Sequence, residues 1–219
     1  MRIPDRAKLL MIGDSITDCD RARPVGEGKG DSLGNGYVSM INALVESAYP
    51  TKEIRVVNMG IAGNTVRELK DRWQTDALDL KPDWLSIMIG INDVTRHFNR
   101  RHMSERHVSL EEYERTLDGL VASAKDGGAS GVILMTPFFI ESNGRDRVRE
   151  MTDRYGEAVR RVSQRHGTLF VDVQQAFDRY LEHHYSMELA LDRIHPTQTG
   201  HMIVARAWLQ AVGYRWEGE

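Results

Sequence analysis

The sequence predicts an α/β fold built on a parallel sheet with helices over both faces. Three observations carry that prediction. Apolar runs of strand length recur at 8–12, 54–59, 84–89, 131–136 and 168–173. Longer stretches of helical spacing lie near 36–49, 65–79, 109–125, 146–166 and 174–183, with a last one at about 198–212. The 219 residues suit one hydrophobic core, so residues 1–219 are expected to form a single domain.

Strands that alternate with helices imply right-handed crossovers, which place helices on both sides of a parallel sheet. Two helix starts have local support. Thr65-Val-Arg-Glu68 and Ser109-Leu-Glu-Glu112 both match the capping box, in which side chains satisfy otherwise unpaired backbone donors. No internal repeat, low-complexity tract or linker divides the chain. In open parallel sheets the functional crevice forms beyond the C-terminal strand ends. Ser15, Gly63 and Asn92 follow the first three predicted strands closely, and the connection before the last helix brings Asp192 and His195 toward the same edge.

Composition narrows the function classes. A formal net charge of −3 gives no global attraction to nucleic acid or an anionic membrane surface. Cys19 is the only cysteine, so a disulfide framework and a multi-thiolate zinc site are both excluded. No segment approaches the roughly 18 apolar residues of a membrane span, and the N-terminal apolar run is too short for a signal peptide, which makes the cytoplasm the expected location.

Three separated fragments carry the chemistry: Gly13-Asp14-Ser15, Gly90-Ile91-Asn92-Asp93 and Asp192-Arg193-Ile194-His195, with Asn58-Met-Gly-Ile-Ala-Gly-Asn64 between the first two. A serine hydroxyl is a weak nucleophile at its free pKa and needs a neighbouring base, for which His195 is the candidate. Asp192, three residues earlier, is placed to accept from the other ring nitrogen and fix the tautomer. The Ser15 N–H, the Gly63 N–H and the Asn92 amide are candidate donors to an oxyanion, and glycine at 63 permits close backbone approach. Asp14 and Asp93 compete for the orienting role. The spacing favours Asp192, and Asp14 is expected instead to organise its turn by accepting nearby backbone N–H groups. Taken singly, each fragment could be a tight turn, a strand-end turn or a surface ion pair; their joint order and placement point to one hydrolytic site.

Together these fragments resemble the SGNH hydrolases, also called GDSL-type esterases, over nearly the full length from Met11-Ile-Gly-Asp-Ser-Ile-Thr17 to Asp192-Arg-Ile-His195. The four blocks of the family fall on Ser15, Gly63, Asn92 and His195, with Ile16 in place of the usual leucine. The resemblance implies a flavodoxin-like, three-layer α/β/α fold with a central five-stranded parallel sheet. It also implies a Ser-His-Asp mechanism through an acyl-enzyme that needs no metal or organic cofactor. Within the family, Asp14-Ser-Ile-Thr-Asp-Cys-Asp-Arg-Ala-Arg-Pro24, Lys81-Pro-Asp-Trp through Asp93-Val94, and Met135-Thr-Pro-Phe-Phe-Ile-Glu141 are most similar to acetylxylan and acetyl-xylooligosaccharide esterases. That likeness implies acetylated xylo-oligosaccharides as substrates and a homo-oligomer. The alternatives are a lysophospholipase or thioesterase of the same family, and a non-catalytic binding domain on this fold.

Other features have simpler explanations. The glycine-rich stretch 26–36 lacks the Gly-Lys-Ser/Thr ending of a phosphate loop and is expected to be a mobile loop beside Ser15. Gly13-Asp-Ser-Ile-Thr17 does not fit the Gly-x-Ser-x-Gly elbow. The remaining histidines have no metal-binding pattern and read as solvated or capping side chains, and the basic segment 96–106 reads as a solvated loop. Met11, Met88 and Met135 are expected in the core. Leu191 reads either as an apolar wall at the pocket mouth or as a core residue, and Trp216 either docks on its own domain or forms a subunit contact.

Overall fold

The computed structural model describes residues 1–217. Five strands, β1 (Lys8–Gly13), β2 (Arg55–Asn58), β3 (Trp84–Met88), β4 (Gly131–Met135) and β5 (Leu169–Val171), form one sheet in the order β2-β1-β3-β4-β5. Every neighbouring pair is parallel. Successive side chains on a strand point to opposite faces, so a strand covered on both sides must be apolar at every position. On one face Leu9, Met11, Ile133 and Met135 meet the helices α2 (Tyr37–Ala48), α7 (Val173–Leu181) and α8 (Gln198–Ala211). On the other, Leu10, Ile12, Leu85, Ile87, Val132 and Leu134 meet α3 (Val66–Asp71), α5 (Leu110–Asp126) and α6 (Arg147–His166). These are the two outer layers of an α/β/α sandwich, and Met11, Met88 and Met135 are all buried in it.

Two buried polar side chains, Asn58 and Ser86, interrupt the apolar sheet. Ser86 is fully buried, and its hydroxyl accepts a 3.0 Å hydrogen bond from the indole Nε1 of Trp208, so the largest buried side chain of α8 keeps its polar atom satisfied.

The structure corrects five of the sequence expectations. A single turn, α1 (Ser15–Asp18), follows β1, and α4 (Ile91–Asn99) takes in the start of the basic segment 96–106 expected as a solvated loop. The helix expected over 65–79 ends at Asp71 and is followed by a π-helical turn, Gln74–Leu78. The stretch 26–36 is a structured connection: Gly26 bridges to Asn58, Gly30–Leu33 is a 3₁₀ turn, and Leu33 is buried. The Thr65 capping box forms completely, whereas Ser109 receives only the Glu112 N–H, because the Glu112 carboxylate is drawn to Arg67 at 2.5 Å.

Candidate active site

The strand order reverses direction around β1: β2 lies on one side of it and β3 on the other. A crevice opens above such a switch point, at the C-terminal strand ends. Ser15 stands immediately past β1 as the first residue of α1. Asp14 is the N-cap, and its Oδ1 accepts the Ile16 N–H at 3.0 Å. A first helical residue has no acceptor for its N–H within the helix, so the Ser15 N–H takes no part in the helical ladder.

Ser15 Oγ lies 2.8 Å from His195 Nε2, and His195 Nδ1 lies 2.6 Å from Asp192 Oδ2. A carboxylate only accepts, so the second contact puts the imidazole proton on Nδ1 and leaves Nε2 free to accept from the serine hydroxyl. The other carboxylate oxygen, Asp192 Oδ1, accepts the backbone N–H groups of His195 at 2.8 Å and Ile194 at 2.9 Å. Burial opposes ionisation of Asp192, but the His195 ring and these two N–H groups outweigh it and hold the carboxyl below its usual range. Asp192 and His195 sit on an open connection, with side chains about half exposed. Arg193 anchors that connection from behind. Its φ is +63°, its carbonyl accepts the Ile140 N–H at 2.8 Å, and its guanidinium pairs with Glu141 at 2.8 Å and lies over the Phe139 ring.

The oxyanion candidates come from two further connections. Gly63 has φ +80°, a conformation that a side chain would strain, and a Cβ there would meet open space. Gly60 is required for a different reason: a Cβ on it would stand 2.2 Å from the Asp18 N, so the β2–α3 connection can lie against α1 only without a side chain at 60. Asn92 sits in the first turn of α4, and its Nδ2 donates to the Asn64 carbonyl at 3.0 Å. Arg96 is no solvated loop residue: it donates to the Gly63 carbonyl at 2.7 Å and pairs with Glu68 at 3.0 Å.

Three buried titratable groups lie around this assembly. Burial pushes the Asp14 carboxyl up to about 7, against the lowering effect of the Ile16 N–H and of His195. Burial also raises Asp93 to about 7, with the Asp14 charge adding to it, while its oxygens hold the Val66 N–H at the start of α3. His201 is buried rather than solvated, and burial lowers it to about 4. Its Nδ1 accepts the Tyr37 N–H at 3.2 Å, and its Nε2 lies 3.4 Å from Cys19 Sγ. Among the described residues no group of histidine, cysteine and carboxylate side chains could hold a metal ion, and no helix is long and apolar enough to cross a membrane.

A family model of GDSL-like lipases and acylhydrolases matches residues 11–203, which span every element of this site. The chain belongs to the GDSL-like lipase/acylhydrolase family. Within it, an acetylxylan esterase of Geobacillus stearothermophilus is 52% identical over 216 residues, covering 99% of this chain and 98% of that one. The solved structure of a catalytic mutant of that enzyme, with a serine replaced by alanine, has a TM-score of 0.98 at 51% identity and covers 100% of both chains. A second catalytic mutant of the enzyme, with a histidine replaced, matches at TM-score 0.97 and 52% identity over 99% of this chain and 98% of that one. The family fold is the flavodoxin-like α/β/α sandwich described above.

Several groups at the site escape a reading of the sequence. Arg96, Arg193 and Arg72 act on carbonyls or carboxylates of segments distant in sequence, and a lone arginine carries no local signal of that. His201 was legible in principle, since it shares a helical stripe with Val204, Ala205 and Trp208, all buried.

Proposed function

We propose that this protein is a serine esterase that removes acetyl groups from acetylated xylo-oligosaccharides, with Ser15 as nucleophile, His195 as base and Asp192 as its orienting acid. The observation that carries the proposal is the unbroken Ser15–His195–Asp192 hydrogen-bonded chain at the C-terminal end of β1. His195 Nε2 takes the hydroxyl proton as Ser15 Oγ attacks the ester carbonyl, and the Ser15 N–H, the Gly63 N–H and the Asn92 amide receive the negative charge. The imidazolium, stabilised by Asp192, then returns the proton to the departing sugar oxygen. Water attacks the acetyl-enzyme by the same route and releases acetate.

The substrate assignment rests on the full-length similarity to an acetylxylan esterase. The test compares acetyl, butyryl and octanoyl p-nitrophenyl esters with acetylated xylobiose. Preference for acetate by about tenfold or more, a scale set by the few kcal/mol available to a short acyl pocket, together with xylobiose deacetylation, is expected. Preference for octanoate would move the activity to a lysophospholipase or thioesterase, and sugar binding without turnover would indicate a binding domain.

We also propose a homo-oligomer. Tyr185, Met187, Leu191 and Trp216 are large apolar side chains left exposed, at 81%, 69%, 87% and 61%. Leu191 is thus not a core residue. Trp216 touches Tyr214 edge-on at 5.3 Å yet keeps most of its surface free. Trp216→Ala is expected to lower the mass measured by light scattering; an unchanged mass in a folded variant would remove Trp216 from any subunit contact.

A further inference from the structure

The Asn92 amide is held before any substrate arrives. Its Nδ2 carries two hydrogens, and one is spent on the Asn64 carbonyl at 3.0 Å. That bond sets the plane of the amide and leaves the second hydrogen for the oxyanion. The orientation of Asn92 is therefore only as good as the placement of Asn64, which lies on a connection rather than in a helix or strand.

Asn64 is held through its side chain. Its Oδ1 accepts from Arg72 Nε at 2.7 Å. The same guanidinium donates through Nη2 to the Gly13 carbonyl at 2.9 Å and through Nη1 to the Met59 carbonyl at 2.7 Å. Gly13 ends β1 two residues before Ser15, and Met59 follows β2. One planar fork thus spans the nucleophile turn and the segment that carries Gly63 and Asn64, and planarity fixes the angles between its donors. Asp76, four residues on, lies 3.1 Å from Nη1, so the largely buried cation keeps a counter-charge. The Arg72 side chain is only 12% exposed.

We infer that Arg72 is a positioning residue for ester hydrolysis, setting Asn92, through Asn64, in register with Ser15, through Gly13. The inference rests on the esterase function proposed above and extends it to a residue that touches neither substrate nor reacting atoms. A purely structural Arg72, serving only to satisfy buried carbonyls, would alter stability and the fraction of folded enzyme without altering turnover per active site.

The experiment measures kcat and KM on p-nitrophenyl acetate, with active sites counted from the burst of p-nitrophenol, for wild type, Asn64→Ala, Arg72→Lys and the double variant. Asn64→Ala removes the Nε arm, which alone grips the residue that orients Asn92, and keeps the backbone carbonyl on which Asn92 rests. Arg72→Lys keeps the charge and loses the fork. Per active site, kcat is expected to fall about tenfold in Asn64→Ala and about 10²-fold in Arg72→Lys with KM within about twofold, because a lost transition-state contact lowers kcat and kcat/KM together. The double variant is expected to be no worse than Arg72→Lys, since both changes cut one relay. Wild-type kcat per active site in Asn64→Ala would overturn the inference, and this variant alone decides if Arg72→Lys does not fold. A wild type that turns over no ester would instead overturn the esterase proposal itself.

Discussion

Ser15→Ala is expected to abolish hydrolysis of acetyl esters, lowering kcat by roughly 10⁴-fold or more, the scale seen when a nucleophile is removed from a triad that acts as a unit. The residual rate would come from the groups that remain. The Ser15 backbone N–H survives the substitution, as do Gly63 and Asn92, so ester binding is expected to persist while acyl-enzyme formation stops. Pre-steady-state mixing with p-nitrophenyl acetate reads the first effect as loss of the burst, and calorimetric titration of the variant with acetylated xylobiose reads the retained binding. Turnover that survives in Ser15→Ala would sink the mechanism. The fold is not at risk in this change. Ser15 is replaced by a good helix former, and the Asp14 cap bonds the backbone of Ile16 rather than the serine side chain.

The second large effect is expected at Asp192. In Asp192→Asn the amide can present its NH₂ to His195 Nδ1, where only an acceptor would then fit. The ring proton would move to Nε2, leaving that nitrogen unable to accept from Ser15 Oγ. A fall in kcat of about 10³–10⁴-fold follows from the wrong tautomer, toward the lower end because solvent reaches both side chains. Asp93→Asn makes the contrasting case. Asp93 is wholly buried and holds the Val66 N–H, so activity is expected to stay within about tenfold of wild type, well short of the loss of a triad member. Its effect should appear in stability. The Asp93 carboxyl titrates near 7 in the folded protein and near 3.8 when unfolded, so the folded state binds the extra proton between these values. Wild-type stability from this group is therefore lost as pH rises through that window, and Asp93→Asn should gain more relative to wild type at pH 8 than at pH 5, as read by thermal unfolding. The opposite pattern, full activity in Asp192→Asn and none in Asp93→Asn, would transfer the orienting role to Asp93.

Much of the fold was legible because a parallel strand covered on both faces leaves an unbroken apolar run. The run at 84–89 corresponds to Trp84–Met88, and that at 131–136 to Gly131–Met135. Two helices gave no such signal. α1 is a single turn, and α4 has Gly90 as an N-cap that offers no side chain and buries few apolar side chains. The helix after Thr65 ends at Asp71 and gives way to a π-helical turn over Gln74–Leu78. Helical spacing alone continues straight through that point. The residues proposed for the chemistry, Ser15, Gly63, Asn92, Asp192 and His195, draw notice in the sequence because they fall in connections or at helix starts, and the folded chain joins Ser15, His195 and Asp192 by hydrogen bonds. The arginines that hold their backbones draw no such notice. A guanidinium that grips carbonyls from another part of the chain leaves no periodicity, and only the folded arrangement shows which oxygens it meets.

The distance between the two ends of the site along the chain bears on how the protein comes to be active. Ser15 and His195 are 180 positions apart, with all four crossovers between parallel strands lying between them. A nascent or partly refolded chain can complete β1, β2 and β3 and still hold a serine with no base. Contacts so far apart in sequence form slowly and late. Turnover therefore counts only molecules whose last helix has docked, and the half-made enzyme is chemically silent toward the esters around it.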